Sequence, residues 1–322
     1  MKIKKEMIDK EIYRKGKLLD LLPMKTEKDF RKAEKLERKL MQGKTSKKMR
    51  CEEITITKRD GEDMRICVYS PLEELDKKVP GILWTHGGGY CCGIPEAEMV
   101  AYEQLMGWSP CVIVSPDYRL SVEAPFPAAI EDCYDALLWL KNNTEKLGVC
   151  SDQIFLGGGS AGGGIAAALA LMARDRGEVN VAFQMILYAM LDNTMSTESM
   201  KDNDCIGWNE EKNKVAWRMY LGDDYRSESV SKYASPSREK DYRGLPPAFC
   251  YVGSCDPFCD ENVQYIDNLK KAGVEAECIV LKGGYHAFEV NSPKAALSAK
   301  AREHYYKAYM HAIDYYRAPQ KA

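Results

Sequence analysis

A run of small residues, Gly157–Gly164, with a single serine at Ser160, constrains this chain more than any other stretch. It follows the apolar run 153–156, which is typical of a short buried strand, and precedes the alanine-rich run 165–173, which is typical of a closely packed helix. The sequence therefore predicts a strand, a sharp turn and a helix. Glycines stand two positions before and after the serine, as in G-x-S-x-G, where a strained turn lifts the serine hydroxyl clear of the sheet.

Two other interpretations of this loop are open at this point. Gly157, Gly159 and Gly162 also satisfy G-x-G-x-x-G, which is typical of a dinucleotide-binding turn at a helix N-terminus. Such a site needs an acidic residue about 20 positions further on, at the end of the next strand. The next apolar run, 181–187, contains none, and Asp192 comes late. The third interpretation is a glycine-rich turn with an incidental serine.

Composition argues against several classes of protein. The chain has 322 residues, of which 45% are hydrophobic, enough for one large α/β core or a core with a small accessory domain. A net charge of -2, without zinc-finger, RNP or arginine-rich motifs, argues against nucleic-acid binding. Residues 1–50 hold 18 Lys and Arg against 8 Asp and Glu, and the remainder holds 28 against 40. We expect this basic leader to dock on the acidic body; attraction to a lipid surface is the alternative.

The sequence shows no targeting or metal-binding pattern. The first 17 residues lack the apolar centre of a secretory signal, and no apolar run reaches the roughly 18 residues of a membrane span. We therefore expect a cytoplasmic protein without an integral membrane segment. The 12 cysteines form no C-x-x-C pair and the 4 histidines no H-E-x-x-H motif, so we expect reduced cysteines, no metal and no cofactor. A homodimer stays open.

The order of apolar patterns predicts a mostly parallel α/β fold. Apolar residues at three- to four-residue steps in 3–12 and 30–40 predict two amphipathic helices that break at Leu22-Pro23. Alternation in 54–56 and 64–68 around an Asp-Gly turn predicts an antiparallel hairpin at the sheet edge. Unbroken apolar runs between helical stretches then predict parallel strands covered on both faces, namely 81–85, 111–115, 153–156, 181–188, 248–252 and 276–281.

Two later segments depart from this rhythm. Residues 193–244 are polar and dotted with aromatic side chains, which we interpret as an inserted lid. Residues 294–316 predict one final helix, on which we expect His304 and His311 to be exposed to solvent.

Chemically reactive residues follow four of the predicted strands. In an open parallel sheet the carboxyl ends of the strands meet at one edge, where ligands bind. The first parallel strand is followed by His86-Gly87-Gly88-Gly89, a glycine run that exposes backbone N–H groups, and the last two are followed by Asp256 and His286. With Ser160 these residues stand in the order nucleophile, acid and base of the α/β-hydrolase fold. Asp260, a helical turn further on, is the alternative acid.

These motifs resemble the hormone-sensitive-lipase-like carboxylesterases, also called family IV esterases, over roughly residues 80–290. His86–Gly89 is similar to the oxyanion loop of that family, and Asp117–Ala128 resembles its D-Y-R-L-A-P-E-x-x-F-P-A-A stretch. Gly158–Gly163 resembles G-D-S-A-G-G, and Asp256–Glu261 resembles D-P-L-x-D-E. The resemblance implies an α/β-hydrolase fold with a mostly parallel central sheet, an antiparallel N-terminal hairpin, helices on both faces and a helical cap.

The resemblance also implies the site and the domains. It assigns Ser160, Asp256 and His286 as the catalytic triad, and the backbone N–H groups of Gly88, Gly89 and Ala161 as oxyanion donors. The expected domains are N-terminal cap helices over 1–45, a cap insertion over 193–244, and an α/β-hydrolase core over 46–192 and 245–322.

The chain departs from the family pattern at three places. Gly159 stands where the family has an aspartate, Ser121-Val122 replaces Ala-Pro, and Cys91-Cys92 follows the oxyanion loop. None of these changes deletes a catalytic group. We expect a less rigid turn around the serine and a slower enzyme.

The predicted function is hydrolysis of short-chain acyl esters, acetyl to about hexanoyl, by a serine carboxylesterase that forms an acyl-enzyme. The expected partner is a small-molecule ester, and Tyr90, Trp208 and Phe288 are candidates for the walls of an apolar pocket. An amidase, arylformamidase or peptidase on the same fold is the alternative. A non-catalytic ligand receptor is a further one, although such a receptor is expected to have lost its histidine.

Overall fold

The centre of the protein is a sheet of eight strands in the order β1-β2-β4-β3-β5-β6-β7-β8. The computed structural model describes residues 1–21 and 24–321, so the predicted helix break at Leu22-Pro23 lies outside the described residues. The strands are Arg50–Thr57 (β1), Asp63–Ser70 (β2), Val79–Thr85 (β3), Val112–Pro116 (β4), Val149–Gly159 (β5), Phe183–Leu187 (β6), Ala248–Gly253 (β7) and Ala276–Leu281 (β8).

One strand, β2, runs against all the others. It pairs antiparallel with β1 on one side and with β4 on the other, whereas the pairs from β4 through β8 are parallel. The turn between β1 and β2 is closed by a 2.8 Å hydrogen bond from Lys58 N to Glu62 O. The predicted hairpin and parallel sheet are confirmed. Strand β5 is longer than the apolar run 153–156 from which it was predicted.

Helices cover both faces of the sheet, as the continuous apolar strands predicted. In β3, where every residue is buried, Leu83 packs into a core formed with α4, α5 and α7. Ile82 and Trp84 point to the opposite face, where α3 and α9 lie. The helices are Lys10–Gly16 (α1), Glu27–Met41 (α2), Met99–Trp108 (α3), Ala128–Asn142 (α4), Ala161–Arg176 (α5), Glu210–Leu221 (α6), Cys259–Lys271 (α7), Phe288–Asn291 (α8) and Ala296–Tyr315 (α9).

The N-terminal segment packs against the body through α2. This helix begins after Thr26, whose backbone N–H and hydroxyl exchange hydrogen bonds with Asp29, so the first turn is capped from both sides. Phe30 is fully buried, and its ring meets the Trp208 ring edge-on at 6.1 Å. Arg38 of the same helix forms an ion pair with Asp117 of the body at 2.9 Å. Basic residues of the leader therefore contact acidic residues of the body.

The segment 193–244 contains one long helix, α6, and a short 3-10 turn at Pro236–Arg238, and the rest is turns. The final helix, α9, carries His311 half exposed and His304 partly exposed, close to the expectation. Over the described ranges no helix combines the length and the apolar character needed to cross a bilayer.

A buried ion cluster joins the β1–β2 turn to helix α4 and to the loop after β4. Asp132 of α4 is 1% exposed, and its Oδ1 atom accepts hydrogen bonds from Lys58 Nζ at 3.0 Å and Arg119 Nη2 at 2.7 Å. Its Oδ2 atom accepts from the backbone N–H and the Nε of Arg119, both at 2.9 Å. Two cations thus share one buried carboxylate, which fixes the hairpin and the loop after β4 relative to each other.

We expect Asp132→Asn to lower the free energy of unfolding by about 3–5 kcal/mol, because it removes the buried anion that Lys58 and Arg119 share and leaves Lys58 only the more exposed Asp60 and Glu62. Asp60→Asn is the matched control, since Asp60 contacts the same two cations from a side chain that is 44% exposed. Its loss should lower the free energy of unfolding far less, because solvent screens an exposed ion pair. Urea unfolding of both variants makes the comparison, and equal losses would contradict a central role for Asp132.

Candidate active site

The turn between β5 and α5 carries Ser160 and requires glycine at positions 158 and 162. Ser160 itself has φ 59° and ψ -126°, in the left-handed half of the map where non-glycine residues are strained. A Cβ on Gly162 would lie 2.0 Å from the carbonyl oxygen of Thr85, and one on Gly158 would lie 2.6 Å from the same atom. The turn is held by hydrogen bonds from Ser160 N to Leu187 O and from Met190 N to Ser160 O, both 3.0 Å. Strain at the serine is therefore maintained by contacts on both sides.

Three side chains from separate loops form a hydrogen-bonded series at the carboxyl edge of the sheet. The distance from His286 Nε2 to Ser160 Oγ is 2.9 Å, and the distance from His286 Nδ1 to Asp256 Oδ2 is 2.8 Å. Ser160 and His286 are 8% exposed and Asp256 is fully buried. Because a carboxylate only accepts, Nδ1 carries the proton and Nε2 is free to accept from the serine hydroxyl. This is the arrangement that activates an oxygen nucleophile.

The structure also distinguishes the two candidate acids. Asp256 follows β7, and its second oxygen, Oδ1, accepts a 2.9 Å hydrogen bond from Phe258 N, which fixes the carboxylate toward His286. Asp260 lies inside α7, and its Oδ2 accepts from Ser199 N at 2.8 Å. The geometry therefore favours Asp256 as the partner of the imidazole, and Asp260 anchors the segment 193–244.

The glycine loop after β3 presents backbone N–H groups beside the serine. Gly88 and Gly89 have φ values of 116° and 61°, and a Cβ on Gly88 would lie 2.0 Å from the carbonyl oxygen of Cys92. The carbonyl of Gly88 accepts from Cys91 N and Cys92 N at 3.0 and 3.1 Å, which tightens the turn. Among the described residues, no acceptor is bonded to the N–H groups of Gly88, Gly89 or Ala161. These donors are free to receive a substrate oxygen.

His86, which opens this loop, is a structural residue. Its ring is fully buried and stacks on the ring of Tyr118 at 4.1 Å, and the hydroxyl of Tyr118 donates to the His86 carbonyl at 2.8 Å. Desolvation lowers the pKa of His86 to about 4, so the ring is neutral at neutral pH. Its nitrogen atoms therefore do not compete with His286 as a base.

A cavity of about 320 Å³ opens directly above the serine. The loops described above form its floor, and Met24, Glu37, Glu98, Tyr188 and Trp208 contribute to its walls. Within the described ranges no cluster of three or more His, Cys, Asp or Glu side chains is placed to hold a metal ion.

Of the three side chains predicted as pocket walls, only Trp208 lines the cavity. Tyr90 is 1% exposed, stacks on Tyr220 at 4.1 Å and donates its hydroxyl to Met190 O at 3.1 Å, so it belongs to the core. Phe288 is also 1% exposed and packs beneath the backbone of Gly284. The prediction was wrong for these two because position after a motif does not reveal which way a side chain points.

Tyr188 is a wall residue that the sequence analysis missed, and its one signal in the sequence is that it directly follows β6. Its φ of 36° turns the ring toward the serine loop, and its ring meets the His286 ring edge-on at 5.2 Å. A Cβ on Gly159 would lie 2.9 Å from the Tyr188 hydroxyl. The space beside the serine where the family places an aspartate is therefore occupied by Tyr188.

Comparison with known proteins supports the fold and the reaction class. A family model described as alpha/beta hydrolase fold matches residues 82–290. The chain is 32% identical over 254 residues to carboxylesterase NlhH of Mycobacterium tuberculosis, a match that covers 77% of this chain and 79% of that protein. It is 32% identical over 220 residues to AB hydrolase superfamily protein C1039.03 of Schizosaccharomyces pombe, covering 64% of this chain and 62%, or less than two thirds, of that one.

Among solved structures, one described as bacterial heroin esterase superposes with a TM-score of 0.88 at 30% identity, covering 96% of this chain and 98% of that one. The fold, the site and these relatives define the protein as an enzyme of the hydrolase class. The chain belongs to the hormone-sensitive-lipase-like family of the α/β-hydrolase fold, as its motifs suggested.

We expect Gly159→Asp to lower both stability and turnover, although it restores the residue usual in the family. Its Cβ would lie 2.9–3.1 Å from the Tyr188 ring, which is itself held against His286. Overpacking of this kind costs about 1–3 kcal/mol. Thermal unfolding and esterase assays test this.

Gly107→Ala is the control for that experiment, because a Cβ there meets nothing within 4 Å in helix α3. Alanine should raise the free energy of unfolding by about 0.5–1 kcal/mol and leave turnover unchanged. A Gly159→Asp variant as stable and active as the parent would contradict the packing argument.

Proposed function

We propose that the protein is a serine carboxylesterase that hydrolyses short-chain acyl esters, acetyl to about hexanoyl, through an acyl-enzyme intermediate. The observation that carries this proposal is the continuous series from Ser160 Oγ through His286 to Asp256, with distances of 2.9 and 2.8 Å. The named esterases among its relatives support the reaction class.

In the proposed acylation step, His286 accepts the hydroxyl proton of Ser160 while the serine oxygen attacks the ester carbonyl. Asp256 holds the imidazole with its Nδ1–H inward and stabilises the imidazolium that forms. His286 then donates the proton to the departing alcohol oxygen, which leaves an ester on Ser160. A water molecule, deprotonated by the same imidazole, attacks that ester and releases the acid, and the serine recovers its proton.

The N–H groups of Gly88, Gly89 and Ala161 are proposed to stabilise the oxyanion of the tetrahedral intermediate. They converge from the loop after β3 and from the first turn of α5, so the positive end of the helix dipole adds to them. Each such donor contributes about 3 kcal/mol to transition-state stabilisation. Because the loop is folded before substrate arrives, little reorganisation is needed.

We propose that residues 1–45 and 193–244 act together as a cap over a core of 46–192 and 245–322. The edge-on contact between Phe30 and Trp208 joins the two segments, and Met24 and Trp208 bring both of them to the cavity wall. A cavity of about 320 Å³ is near the lower end of the roughly 300–1,000 Å³ that ligand pockets occupy. The cap therefore restricts the acyl group to a short chain.

Ser160→Ala should reduce the kcat for p-nitrophenyl acetate by about 10⁴-fold or more, because the nucleophile is lost and only binding and the oxyanion donors remain. Its unfolding temperature should match that of the parent. Ser196→Ala, at an exposed serine of the 193–244 segment, is the control and should keep full activity. A fluorophosphonate adduct mapped to a residue other than Ser160 would overturn the assignment.

Across p-nitrophenyl esters, kcat/KM should be highest between acetate and hexanoate and about tenfold or more lower for dodecanoate, whose chain exceeds the cavity. Trp208→Ala removes a wall and should shift the optimum toward longer chains. Equal turnover of dodecanoate by the parent enzyme would sink the short-chain assignment. An anilide cleaved as fast as the matching ester would indicate an amidase.

A further inference from the structure

The cavity above Ser160 is lined by two carboxylates and, among the described residues, by no lysine or arginine. Glu37 reaches it from α2, and Glu98 reaches it from the 3-10 turn Pro95–Glu98 that precedes α3. The proposed reaction does not use either group.

Glu37 and Glu98 differ from the neighbouring glutamates, which form ion pairs with arginine. Glu34, one turn before Glu37, forms an ion pair with Arg38 at 2.9 Å. Glu96, two residues before Glu98, forms an ion pair with Arg65 at 2.7 Å. In the described ranges no lysine or arginine forms such a pair with Glu37 or Glu98. The acids that face the body are neutralised, and those that face the cavity are not.

Within the part of the chain that the structure describes, the carboxylates of Glu37 and Glu98 therefore have no compensating cation in the cavity. Desolvation raises the pKa of Glu37 and that of Glu98, and the Glu37 charge raises the pKa of Glu98 further. Burial therefore disfavours the charged form of both groups, and a cation bound between them would offset that cost. Glu98 Oε1 accepts a hydrogen bond from Gly87 N at 3.2 Å, directly beside the proposed oxyanion donors. A negative charge at that place opposes the developing oxyanion unless a cation lies between them or beside them.

The remaining walls also suit a cation. Trp208 and Tyr188 present aromatic rings to the same cavity, and aromatic faces attract ammonium groups. The carboxylates alone would not define a site, but here they line the cavity that holds the nucleophile. A substrate with a positive nitrogen would neutralise the carboxylates and contact the rings at once.

Building on the proposed esterase function, we propose that the preferred substrates are small esters that carry an ammonium group, which Glu37 and Glu98 bind beside Trp208. The cation can belong to the alcohol or to the acyl part, because the same cavity receives both. Anionic esters, such as those of dicarboxylic acids with a free carboxylate, are poor substrates for the same reason.

The test compares pairs of esters that differ only in charge. Acetylcholine and 3,3-dimethylbutyl acetate have nearly the same shape, with nitrogen or carbon at the branch point, and place the cation in the alcohol. Betaine ethyl ester and ethyl 3,3-dimethylbutanoate place it in the acyl part. For each pair, the ratio of kcat/KM for the charged ester to kcat/KM for the neutral ester is measured in the parent enzyme and in variants.

We expect Glu37→Gln to lower this ratio by about tenfold in at least one pair, as the loss of one charged contact predicts. Glu98→Gln should act in the same direction. Since Glu98 also contacts the oxyanion loop, Glu37→Gln is the decisive variant. Glu34→Gln, one turn away on α2, removes the same charge from a carboxylate outside the cavity and should leave the ratio unchanged.

The outcomes separate this inference from the proposed function. A ratio that Glu37→Gln leaves as it is in both pairs, or lowers no more than Glu34→Gln does, overturns the cationic preference while the esterase proposal stands. Failure to hydrolyse the neutral esters and p-nitrophenyl acetate overturns the esterase proposal itself. A ratio that falls only with the cavity variants supports the inference.

Discussion

The close approach of the β5–α5 turn to the end of β3 is the constraint on which the rest of the site depends. Two glycines, Gly158 and Gly162, bring the turn into backbone contact with Thr85, and the Thr85 hydroxyl donates to Gly162 O at 2.7 Å. The residue after Thr85 opens the glycine loop. One backbone contact therefore sets both the position of Ser160 and that of the Gly88 and Gly89 N–H groups, which are proposed to bind the oxyanion.

Much of the fold and most of the candidate site could be predicted because the relevant sequence signals are local. The glycine spacing around Ser160 and the residues that directly follow strands are properties of short stretches, and parallel strands bring their ends together whatever the details of packing. Local sequence could not separate Asp256 from Asp260, which lie one helical turn apart. Only the direction of the Asp256 carboxylate, fixed by Phe258 N, distinguishes them.

The cavity walls could not be predicted because they come from distant parts of the chain. Trp208 was the one wall residue that the sequence suggested. Glu37 joins it above Ser160 only through the packing of α2 on the 193–244 segment, and nothing in the sequence around Glu37 marks it. Tyr90 and Phe288 show the reverse error, since aromatic residues beside a motif serve the core as readily as a pocket. The charge of the cavity thus depends on long-range packing, whereas the residues proposed for catalysis, apart from the choice between Asp256 and Asp260, can be found from local sequence alone.

The position of β8 at the edge of the sheet determines when the candidate site can form during synthesis of the chain. The loop that carries His286 follows this strand, which among the described strands pairs with β7 alone, so the imidazole joins the site only after β8 has left the ribosome. The serine, more than a hundred residues earlier, emerges first and has no base to take its proton. Under the proposed mechanism a growing chain is therefore inactive, and hydrolysis becomes possible only after β8 has docked on β7.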